Sequence, residues 1–161
     1  MKKILAKVLL CITLIMVASG CTNKSIITPN ELNNFNEKKN YFKIIDNTKI
    51  EFSITSNWHY EELPLDDDYK FALKFYKSSE DNYFTLYYYN NPVVFCGTGR
   101  DTKEIILNNG QVAIVGYEFG NEFWSDISFP TINSNIVLIN DGIEEKEVLE
   151  IVKTISLETT D

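Results

Sequence analysis

The chain has 161 residues, with 15 Lys and Arg against 23 Asp and Glu and a formal charge of −8. That length suits one domain with a proper core. The acidic balance argues against nucleic-acid binding, which needs cationic groups on the phosphates.

The first predicted element is a leader, not part of a fold. Lys2, Lys3 and Lys7 make a short basic region, and residues 8–18 carry no charge. Such a run is too short to span a bilayer, which takes about 20 apolar residues, and it matches the apolar core of a signal peptide, about 7–15 residues. Ala18, Ser19 and Gly20 then lead into Cys21. These four positions resemble the end of the lipobox of bacterial lipoproteins, with Ala18 where leucine is commonest. The resemblance implies a signal peptide over residues 1–20 and a diacylglycerol thioether on Cys21. The protein would then sit on the extracytoplasmic face of the cell membrane. One acyl chain holds only weakly, whereas two or three hold a domain stably.

Removing residues 1–20 takes away three lysines and no carboxylate, so the charge falls from −8 to −11. Anionic headgroups would repel such a surface, leaving the lipid as the anchor. Of the three cysteines, Cys11 leaves with the leader and Cys21 takes the lipid. Cys96 alone remains, so no intramolecular disulfide can form and stability must come from burial.

Residues 21–40 are polar and lack a sustained period, which predicts a tether with, at most, a short helix over residues 30–39. From Tyr41 the pattern turns to strands. "YFKIIDNTKIEFSI" predicts a hairpin turning at Asp46 and Asn47, and "SNWHYEELPLDDD" an irregular connection. "YKFALKFYK" and "NYFTLYYYN" alternate, with Phe71, Leu73, Phe75, Phe84, Leu86 and Tyr88 on the apolar side. A three-stranded meander follows over residues 103–129, with turns at Asn109–Gly110 and Gly120–Asn121, where the chain needs residues that tolerate positive φ.

"NIVLIN" predicts a last apolar strand. Asp141 with Glu144 three residues on has the form of a capping box. Val148, Ile151, Val152 and Ile155 then give one helical stripe. The expected domain, residues 41–161, is α+β: about seven to eight antiparallel strands with the terminal amphipathic helix packed on them. Its order of hairpin, connection after "SNW", meander and closing helix resembles the PsbP-like fold over residues 41–157. That resemblance implies binding and assembly rather than catalysis, and it carries no functional residues.

The chemistry-bearing stretches favour plain structural roles. "CGTGR" at residues 96–100 has two glycines and an arginine that could cradle an anion, but a strand follows it, so no helix N-terminus assists. A glycine turn is the expectation. Cys96 with His59, the one histidine, would need a base in reach and an orienting group to act as a nucleophile. Cysteine at a strand end more often packs as a small hydrophobe. Glu61, Glu62 and Asp66–Asp68 could offer oxygens to Ca²⁺ but lack the spacing of a preformed loop. No catalytic residue, metal or cofactor is assigned.

The functional signal is aromatic. Alternation puts Tyr76, Tyr83, Tyr87 and Tyr89 opposite the apolar face, and Trp124 opposite Phe123, Ile127 and Phe129. On a shared sheet these five would form a surface of tyrosines, a tryptophan and carboxylates, suited to a protein partner. The expected function is a non-enzymatic, lipid-anchored interaction module of the cell envelope, bound to the membrane through Cys21 and to an envelope protein through this face. The alternative is a lipoprotein that binds a small molecule or cell-wall glycan with the same aromatics.

Overall fold

The computed structural model describes residues 37–160, apart from 79–80, 96–98, 119 and 121. The expected leader, the expected lipidation site at Cys21, most of the expected tether and Cys96 therefore lie outside the described residues. A large antiparallel sheet is built from β3 (His59–Glu62), β4 (Tyr69–Tyr76), β5 (Tyr83–Tyr89), β6 (Arg100–Ile106), β7 (Val112–Glu118), β8 (Trp124–Ser128) and β9 (Ile136–Asp141). Its spatial order is β3-β4-β5-β9-β8-β7-β6. A smaller antiparallel sheet has the order β1-β2-β10, from β1 (Lys38–Ile45), β2 (Thr48–Thr55) and β10 (Ser156–Thr159). The helix α1 (Glu145–Val152) precedes β10.

The hairpin turns at Asp46, whose φ of 45° is left-handed, and Ile45 pairs with Thr48 across it. The strongest apolar alternation falls where the pairing puts it on one face. Phe71 opposes Tyr88, Leu73 opposes Leu86 and Phe75 opposes Phe84. Leu86 then opposes Leu138, which opposes Ile127, which opposes Val115. These side chains are buried, and Phe75 stacks on Phe84 with centroids 4.7 Å apart. Burying a side chain of this size contributes about 1.5–3 kcal/mol.

Two elements cover that face. The small sheet contributes Ile50, Phe52, Ile54 and Leu157, and Phe52 meets Phe75 edge-on at 5.3 Å. The helix contributes Val148, Ile151 and Val152, the stripe its sequence period predicts; Ile155, just past its end, is buried too. The core is thus one cluster between the seven-stranded sheet and a layer made of the small sheet and α1.

Several details differ from the sequence reading. The connection after "SNW" contains β3, an exposed four-residue edge strand that pairs Tyr60 with Phe75. β10 forms after the helix, and with β1 and β2 it makes a second sheet. The first strand opens at Lys38, inside the stretch read as tether. Asp141 does not cap the helix: it ends β9, Gly142 follows at φ 97°, and the helix begins only after Glu144. The turn is closed instead by Asn140 Oδ1, which accepts from the Ile143 N–H at 2.9 Å.

Candidate interaction face

The side of the large sheet away from the core carries the predicted tyrosines. Tyr76 opposes Tyr83, Ala72 opposes Tyr87 and Tyr69 opposes Tyr89. Tyr76, Tyr83, Tyr87 and Tyr89 are all half-buried. Tyr69, which the sequence reading left out, belongs with them: its ring meets Tyr87 at 5.2 Å and Tyr89 at 6.5 Å. A register shift between Tyr69 and Phe71 puts Tyr69 opposite Tyr89. Strict alternation from Phe71 would not separate Tyr69 from the core side.

Lys74 lies among these rings, 4.6 Å above the centroid of Tyr83 and 5.6 Å from that of Tyr76. Glu61 on β3 pairs with the same lysine at 3.5 Å. His59 stacks on Tyr76 at 5.5 Å, extending the aromatic row to the sheet edge. The Tyr83 hydroxyl donates to Asp141, and that bond, with burial second, holds it above the usual phenol range. Burial raises Tyr89 in the same direction. Beneath the rings the face is closed: Ala72, Thr85 and Val137 are buried.

Trp124 is not on this face. It is 1% exposed, its Nε1–H donates to the Ile143 carbonyl at 2.7 Å, and its ring meets Phe84 at 6.3 Å. The cause is a bulge. Gly116 pairs with Asp126 but the next residue, Tyr117, pairs with Trp124, so Ser125 is an extra residue in β8. An extra residue reverses the alternation, sending Trp124 into the core while Asp126 stays on the outer side. Phe123, expected inside, is exposed instead.

Asp126 is the buried charge of the outer side, and sequence reasoning missed its role. Arg100 Nη1 and Nη2 both donate to its carboxylate, and the Ser125 hydroxyl donates to it at 2.8 Å. The guanidinium lies 4.1 Å from the Phe95 ring on one side and over Gly116 on the other. Phe95 belongs to the segment that leaves β5, third in the sheet order, at Tyr89 and reaches β6, an edge strand, at Arg100. Val93 fixes it further through its N–H to the Ser134 carbonyl at 2.9 Å. The arginine of "CGTGR" therefore clamps a crossing segment rather than cradling an anion, while Cys96 lies outside the described residues. A signal was present in the sequence, a glycine mid-strand in "AIVGYEF", which marks a bulge or a close approach.

The acidic stretch is dispersed by its contacts. Glu62 accepts from Lys43 at 2.9 Å and from the Tyr41 hydroxyl at 3.2 Å, while Asp66 Oδ1 accepts from the Asp68 N–H at 3.3 Å. Among the described residues no three or more His, Cys, Asp or Glu side chains gather as a metal site would require. Comparison with protein-family models, curated proteins and solved structures finds no match.

Proposed function

We propose that this chain is a lipid-anchored extracytoplasmic domain that binds another envelope protein through the tyrosine face. One observation carries the reading: Tyr76, Tyr83, Tyr87 and Tyr89 lie half-buried on the outer side of the large sheet, with Tyr69 as a fifth and a lysine and histidine among them. Tyrosine offers large contact area at low entropic cost and anchors many protein interfaces. The lipobox resemblance at Ala18, Ser19, Gly20 and Cys21 supports the location and the anchor. A non-enzymatic role and the PsbP-like variety of this α+β arrangement belong to the same proposal; the order of hairpin, meander and late helix supports the latter.

The test is a crosslinked pull-down from intact cells, comparing wild type with a Tyr83→Ala/Tyr87→Ala variant. Trp124 must be left alone, because it holds the core. A protein recovered with wild type and lost with the folded variant is the expected result. Equal recovery with both would overturn the placement, and sedimentation with purified cell wall in place of a protein would favour a glycan.

A further inference from the structure

Beside the tyrosine face the outer side of the sheet sinks into a cleft of about 740 Å³ between β7, β8 and the end of β9. That volume is within the usual range for a ligand site, about 300–1,000 Å³. Its walls include Ile139 and the exposed Phe123 ring. Among the described residues that line it, Arg100 is the one cation, and its guanidinium is already taken by Asp126 and the Phe95 ring. The charge of Asp126 is thereby cancelled. Glu118 and Asp141, both exposed at the rim, are not cancelled by any cation of the lining. The cleft is therefore a net-negative, partly aromatic concavity on a strongly acidic protein.

It is also continuous with the tyrosines. Asp141 accepts from the Tyr83 hydroxyl, and Ile139 sits opposite Thr85 in the register, on the strand that carries Tyr83 and Tyr87. A partner lying on the tyrosine face would reach the cleft without leaving the sheet. Carboxylates beside an aromatic wall suit a guanidinium or ammonium group, through ion pairing and stacking together. The acidic field would also speed the approach of a basic chain.

We propose that this cleft receives an arginine or lysine side chain from a basic segment of the partner, with Glu118 and Asp141 as its ion pairs. The inference rests on the interaction reading above and names the chemistry of the partner. It is tested with full-length protein in neutral detergent and a fluorescein-labelled peptide of alternating arginine and glycine. Fluorescence anisotropy compares wild type, Glu118→Gln/Asp141→Asn, and a control, Glu37→Gln/Glu150→Gln. The control removes the same charge from exposed positions before β1 and on α1, away from this face. The cleft variant should weaken binding about fivefold or more, as two exposed pairs would, and the control less than twofold. Equal weakening by both pairs would show diffuse attraction and overturn the proposal, as would no binding to wild type. In either of those cases a partner still lost from the Tyr83→Ala/Tyr87→Ala pull-down would leave the interaction reading standing.

Discussion

At Gly116 a Cβ would run into the Arg100 guanidinium and displace it from Asp126. That guanidinium and the Asp126 carboxylate are both nearly buried, with side-chain exposures of 13% and 3%. Two desolvated charges hold together only while each keeps its partner. Asp126→Asn should therefore cost about 3 kcal/mol, read as a lower urea midpoint, because it leaves a buried guanidinium uncompensated. Replacing both Arg100 and Asp126 with Leu should cost less than the single change. Equal or greater loss in the double variant would mean that the pair stabilises beyond its own charge compensation. Tyr117 allows a second test at this scale. Burial and then its bond to Glu145, at 2.7 Å, push its hydroxyl above the ordinary 10.0. A folded-state pKa above the unfolded one contributes stability that is intact below about pH 10 and lost as the pH rises further. Tyr117→Phe should flatten the fall of Tm between pH 9 and pH 11 relative to wild type.

The elements explain which parts of this structure the sequence disclosed. β4 and β5 are central strands with long apolar patterns, and their faces followed from alternation alone. The helix stripe was legible for the same reason. What stayed hidden has local causes. β3 and β10 are four residues each, too short for a period, and they exist because a neighbouring strand offers a free edge. The bulge at Ser125 inserts one residue and turns Trp124 inward, which no pattern within "FWSDISF" announces. So the site was half readable: the tyrosines came from alternation, whereas Arg100, Asp126 and Phe95 meet only through the crossing segment. The bulge has a measurable consequence. Trp124→Ala should cost about 3–5 kcal/mol, whereas Tyr87→Ala, half-exposed, should cost clearly less. Ile151→Ala, in the helix stripe, should cost about 2–5 kcal/mol. Urea unfolding measures all three, and a mild Trp124→Ala would place that ring outside the core.

For the whole molecule, the layers divide labour. Among the described residues, the small sheet and α1 close one side of the large sheet and leave the tyrosine side uncovered, the side the proposal gives to a partner. The lipobox reading makes a separate prediction: Cys21→Ala should move the protein from washed membranes to the soluble fraction. Quantitative retention in membranes would refute the lipid anchor without touching the fold. A photocrosslinker placed in intact cells reads out which side of the sheet binds. Benzoylphenylalanine at Tyr87 samples the tyrosine face, and at Phe42, 66% exposed on β1, it samples the opposite layer. Binding through the tyrosine face should give a discrete protein adduct from position 87 and none from position 42. An adduct from position 42 alone would rule out the tyrosine face and move the interface to the small sheet.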